Sequence, residues 1–113
     1  MLGIWPPGYI SIMPNGHRTA ELRSIAFHGI VADRLDDESL ERARARVQRW
    51  IADGGPVPAP AALRWRELLD LPRADLATHL VKDTEQMRNL RQNTPFAGSV
   101  PARERWRIIS EIR

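Results

Sequence analysis

Cysteine is absent from this 113-residue chain, which excludes a disulfide framework, a thiolate nucleophile and a thiolate zinc site. Long apolar runs are absent too: none approaches the roughly 20 residues that cross a bilayer. The opening Met1-Leu2-Gly3-Ile4-Trp5-Pro6-Pro7-Gly8 lacks the basic residues and unbroken apolar core of a signal peptide, so a cytoplasmic location with no membrane contact is expected. Histidine is sparse, and His17, His28 and His79 lie too far apart for the i, i+4 metal pair of a helix. His28, beside an apolar stripe, reads as a packed or surface histidine. The seven glycines are scattered, and Gly54-Gly55 follows a helix pattern rather than a strand, so no phosphate loop is present. Ser39, Ser99 and Ser110 have no nucleophile-elbow context. Asp36-Asp37, Asp70, Asp75 and Asp83 fall at helix boundaries, where carboxylates act as caps. The expectation is a protein that is not an enzyme and uses no catalytic residue, metal or cofactor.

What is present is arginine. All basic residues except Lys82 are arginine, and residues 57–113 carry a net +3 while residues 1–56 are neutral. A basic C-terminal half suits phosphates or an acidic protein surface, although net charge argues solubility before function.

A Pro/Gly-rich arm is expected over residues 1–18 and a single helical domain over 19–113, since this length leaves room for one core. Within the arm, Tyr9-Ile10-Ser11-Ile12-Met13 favours a strand that stays loose or adds to a partner or a second copy of the chain. In the domain, apolar spacing of three and four places a helix over about Thr19–Leu35, with Leu22, Ile25, Ala26, Ile30 and Val31 on its stripe. A second helix starts at Asp36-Asp37-Glu38, carries Leu40, Ala43, Val47, Trp50 and Ile51, and ends in a left-handed cap at Gly54-Gly55. A stiff connector, Pro56–Pro60, leads to a third helix over about Ala61–Leu71 with Trp65, Leu68 and Leu69 inward. Pro72 opens a fourth with Leu76, Leu80 and Val81, and an Asp83/Gln86 capping box restarts it for Met87 and Leu90. Ser99-Val100-Pro101 opens the last helix, whose apolar stripe is Ala102, Trp106, Ile109 and Ile112. The fold class is therefore all-α, a bundle of about five helices. Its core should bury Leu22, Ile25, Ile30, Leu40, Val47, Trp50, Trp65, Leu68, Leu76 and Leu80.

Two binding classes follow from the residues. The segment Lys82–Gln86 with Gln86, Arg88, Asn89, Arg91 and Gln92 could serve as a turn and recognition helix on DNA, because Arg, Asn and Gln make bidentate base contacts. Asp83 and Glu85 at its start would meet phosphates with the wrong sign. The final helix points instead to a protein partner. Tryptophan and arginine are enriched among interface hot spots, and Trp106 stands beside Arg103, Arg105 and Arg107. Expected partner-binding residues are Phe96, Arg103, Arg105, Trp106, Arg107, Ile109 and Ile112, with Pro95 and Gly98 shaping the turn that lets Phe96 pack beneath the helix.

Four segments together resemble a set of small bacterial helical proteins encoded beside toxin genes: Ser24-Ile25-Ala26-Phe27-His28, Arg42–Trp50, Leu90–Gly98 and Arg103–Ile108. The resemblance covers about residues 23–113. It implies an antitoxin-like component that neutralises a toxic enzyme, a nuclease or nucleotidyltransferase, by covering its active site or substrate path. Some such proteins carry a DNA-binding segment ahead of this region, and residues 1–18 are too short and proline-rich to be one. A DNA-binding transcriptional regulator and a structural adaptor are the alternatives.

Overall fold

The computed structural model describes residues 12–112, with side chains from Arg18 onward. It is all-α, with six helices and no strand among the described residues: α1 (Ile12–Asp33), α2 (Asp37–Asp53), α3 (Ala59–Leu69), α4 (Arg73–Leu80), α5 (Glu85–Arg91) and α6 (Ala102–Glu111). The expected arm therefore divides. Residues 12–18 are already helical, and Pro14 stands in the first turn, where its missing amide costs no intrahelical bond. Residues 1–11 lie outside the described residues.

Local chemistry explains the boundaries. Asp36 caps α2 by accepting from the Ser39 amide at 2.7 Å, while the Ser39 hydroxyl receives the Asp36 amide at 3.1 Å. These bonds hold the exposed Asp36 carboxyl below its usual pKa. Gly54 closes the helix at φ 73°, a left-handed conformation that costs glycine nothing. Pro58, Pro72 and Pro101 precede α3, α4 and α6, and each offers its carbonyl to the first helical amides, to Ala62 (3.0 Å), Leu76 (3.0 Å) and Arg105 (3.1 Å). The cap of α5 is Thr84, which accepts from the Met87 amide at 3.2 Å, and not the expected Asp83/Gln86 box.

α2 and α3 form an antiparallel hairpin, crossed by a bond from the Arg44 guanidinium to the Leu69 carbonyl (3.1 Å). α1 runs against α4, α5 and α6. The core joins Val31, Leu40, Ala43, Val47, Leu68, Leu69, Leu76, Leu80, Met87, Leu90 and Val100 around Trp65 and Phe96, both fully buried. Those two rings meet edge to face at 6.1 Å, and the Trp65 indole donates to the Leu90 carbonyl at 3.2 Å. Trp50 and Ile30 pack against this core from its edge, and Ile25 is half-buried. Leu22 is a correction: it is 38% exposed. His28 and Val31 occupy the inward positions of α1, and Leu22 lies nine residues before Val31, about two and a half turns and so on the opposite side.

Candidate interaction surface

α6 is fastened to α1 at both ends. At its start, Glu104 makes a two-pronged ion pair with Arg34, one bond of it 2.6 Å. This pairing holds the Glu104 carboxyl below the usual glutamate range. At its end, Arg23 donates from Nε to the Ile112 carbonyl (2.8 Å) and from Nη2 to the Ile109 carbonyl (3.2 Å). A cation thus meets carbonyls with no helical partner at the negative end of the helix dipole. Only Ile108 of α6 enters the interior.

With α6 so held, its other side is left open. Trp106 is 67% exposed and Ile109 42%, and Ala102 is exposed in line with them. Spacings of four and three put these residues on one face. Arg103 and Arg107, four apart, run along one flank, and Arg105 lies on the other, donating to the Ala97 carbonyl at 3.4 Å. Between α1 and α6 a notch of about 190 Å³ opens beside Ile109, walled by Arg23, Ser24, Phe27, Arg105 and Ile108.

Five of the expected partner-binding residues (Arg103, Arg105, Trp106, Arg107 and Ile109) therefore stand together on the surface. Ile112 is half-buried at the helix end, where its carbonyl is taken by Arg23. Phe96 is displaced from the list: it has no exposed surface and serves the core against Trp65. The turn that carries it is held by hydrogen bonds. Thr94 Oγ1 accepts the Phe96 amide at 3.1 Å, the Ser99 amide reaches the Phe96 carbonyl at 2.9 Å, and Arg46 donates to the Pro95 carbonyl at 3.3 Å.

A buried polar cluster escaped the sequence reading. His28 is 2% exposed and Arg91 3%. His28 bonds the Ser24 carbonyl at 2.8 Å and the Thr94 hydroxyl at 2.9 Å. Burial lowers the His28 pKa to about 4, opposed by the Ser24 bond and reinforced by the nearby Arg91 charge. Arg91 donates from Nη1 to the Leu80 and Lys82 carbonyls, at 3.1 and 2.7 Å, and so closes the end of α4. A signal for Arg91 was present: Met87, Leu90 and Arg91 stand at i, i+3 and i+4, the spacing of an inward face. For the DNA reading this matters, since Arg91 is buried and Arg88 is paired with Glu21 at 2.5 Å.

Among the described residues no group of three or more His, Asp or Glu could hold a metal ion, and no helix is long and apolar enough to cross a membrane. Comparison with known protein families, curated proteins and solved structures finds no match.

Proposed function

We propose that this chain is a partner-binding protein that docks through the outer face of α6, in the manner of an antitoxin covering a toxic enzyme. The observation that supports this reading is the exposure of Trp106, 67%, on a helix anchored at both ends and flanked by Arg103, Arg105 and Arg107. A preformed, rigid helix spends little conformational entropy on association. Its tryptophan supplies buried area, and its arginines supply forked donors for carboxylates or a site shaped for phosphates. The partner's chemistry follows: an apolar slot for Trp106 and Ile109, edged by acidic groups, or an active-site cleft of a nuclease or nucleotidyltransferase that receives polyanions. The notch beside Ile109 gives a partner side chain a place to enter in return.

DNA binding draws less support, because α5 offers neither Arg88 nor Arg91 freely to bases. The test is co-expression with the product of the adjacent gene, followed by purification and titration of the complex. A complex that survives moderate salt and loses about thirtyfold affinity on Trp106→Ala supports the reading. Absence of a complex, or equal affinity in the folded variant, ends it. Duplex DNA run in parallel would reveal the regulator alternative by a steep fall of affinity with salt.

A further inference from the structure

Five large apolar side chains are exposed among the described residues, and they fall on different faces. Trp106 and Ile109 belong to the outer face of α6, and Leu63 stands on α3. Leu22 and Val81, each more than a third exposed, lie elsewhere, on the flank where α1 runs beside α4. There an open trough of about 540 Å³ has walls that include Ala26, Gly29, Ile30 and Asp33 of α1, Ala77 of α4 and Val81 at the α4 C-cap.

Spacings of four, four, three and four put Arg18, Leu22, Ala26, Gly29 and Asp33 in one line along α1. Ile25 and Ile30 flank the line, both half-buried. Between Arg23 and Asp33 the helix has no Asp, Glu, Lys or Arg. Arg23 and Phe27 follow Leu22 and Ala26 by one residue each, and so are turned about 100° away, toward α6. The line is therefore a second apolar face with a charge at each end, separate from the α6 surface.

Gly29 indicates a close approach. A glycine inside a helix is less stable than alanine, and its use there is to let another chain segment come near. The fold itself makes no such demand: beyond its own helix, a methyl group at Gly29 would meet only Val81 Cγ1, at an ordinary 3.9 Å. The approach that explains this glycine comes from outside the described residues.

The line is also self-complementary. Two copies of α1 laid antiparallel about a point between Ile25 and Ala26 bring Arg18 to Asp33 and Leu22 to Gly29. Each pairing then occurs twice, as a twofold axis requires. A parallel arrangement would set Arg18 on Arg18 and Asp33 on Asp33. In the antiparallel one Leu22 fills the space over Gly29 beside Val81 of the second copy, so the apolar groups of this flank cover one another. Arg18 holds Asp83 through Nη1 at 3.1 Å, yet half of its side chain stays exposed and its other donors can meet a second carboxylate. Asp33 is exposed at the far end of the line.

We propose that this face of α1 is the contact between two copies of the chain, joined antiparallel about a twofold axis between Ile25 and Ala26. The contact line from Arg18 to Asp33 is about 22 Å long. A single helix pair of that length lies at the low end of specific interfaces, so the dimer is a reversible one.

Sedimentation equilibrium of the full chain between about 1 and 500 µM should show monomer and dimer exchanging with a dissociation constant on the order of 10–100 µM. Leu22→Glu, at an exposed position, should leave a folded monomer throughout that range. Gly29→Ala should weaken the dimer roughly tenfold by crowding Leu22 of the second copy. The same change should raise the melting temperature of the dilute chain, because alanine is the better helix residue, and the opposite signs separate contact from folding. Arg18→Glu should weaken the dimer about tenfold, and adding Asp33→Arg should restore it, which the lost bond to Asp83 cannot do. A chain that stays monomeric at the top of the range would leave the face to residues 1–11 or to a different protein and overturn the proposal. So would a dimer that Leu22→Glu leaves intact, a charge swap that restores nothing, or a dimer that only Trp106→Ala dissolves, which would place self-association on α6.

Discussion

His28 Nε2 lies 2.9 Å from the hydroxyl of Thr94, a residue 66 positions away, while Nδ1 lies 2.8 Å from the Ser24 carbonyl. The Ser24 carbonyl can only accept, so Nδ1 carries the hydrogen and Nε2 receives one from Thr94. Thr94 Oγ1 in turn accepts the Phe96 amide, giving a relay from the turn through Thr94 and His28 to α1. A second proton on His28 would reverse the Thr94 hydroxyl and bring a charge beside Arg91. With a folded pKa of about 4 against 6.5 unfolded, the unfolded chain takes up the proton first. Stability is therefore complete above pH 6.5, falls as pH drops toward 4, and levels below it. The full loss is on the order of 3 kcal/mol. Denaturant melts between pH 8 and 4 should show this slope, and His28→Gln, which cannot titrate, should flatten it. Asp36 and Glu104, whose folded pKa values are depressed, lose their contribution as pH falls through their unfolded values, at the acid end of this window, and His28→Gln leaves that part in place. An unchanged slope in the variant would remove His28 as its source.

Gly54 is the left-handed close of α2, at φ 73°, with open space around the position of a side chain. Gly54→Ala is expected to cost about 1 kcal/mol through backbone strain alone. Gly55→Ala, also in open space but without positive φ, should cost less, and equal melting of the two variants would refute the assignment.

How far the residues themselves disclosed this architecture depends on where their partners lie. α2 was readable end to end, because Asp36, the Leu40-Ala43-Val47 spacing and Gly54 are local signals. Leu22 misled because an apolar side chain on a helix stripe says nothing about which face neighbouring helices cover. The bond between His28 and Thr94 and the cap of Arg91 on α4 are tertiary facts without a sequence period. α6 shows the division within ten residues. Its Ala102-Trp106-Ile109 ribbon was legible, but the residue that packs it inward, Ile108, stands next to an identical Ile109 that faces outward. Phe96 was expected to pack beneath the last helix, and its chemistry could not reveal that it would instead lie in the core against Trp65 of α3.

Arg23 is expected to govern the order of the α6 end, since among the described residues it alone joins α1 to both the Ile109 and Ile112 carbonyls. Arg23→Met keeps much of the side-chain bulk and removes the donors. Global stability should fall by about 1 kcal/mol, and amide exchange should accelerate over the last turn of α6 before any other helix. Arg34→Met, which breaks an exposed ion pair at the other end, should cost less than Arg23→Met. Uniform acceleration across the whole chain in Arg23→Met would mean that the contact supports the core rather than the helix end.

Trp65 and Trp106 offer the sharpest separation of core from surface, because the same substitution has opposite expected consequences. Trp65 is fully covered, stacks its edge near Phe96 and donates to the Leu90 carbonyl. Trp65→Ala should cost about 3–5 kcal/mol, a large share of the stability of a domain this size. Trp106, 67% exposed, should tolerate alanine within about 0.5 kcal/mol. For a chain of this length, that change moves the melting temperature by only about 2–4 °C. If the outer face of α6 is the docking surface, the Trp106 variant keeps its melting curve while partner binding weakens by about 2 kcal/mol. A melting temperature lowered to the level of the Trp65 variant would show that Trp106 packs against the chain itself, leaving α6 without the anchor that the docking reading requires.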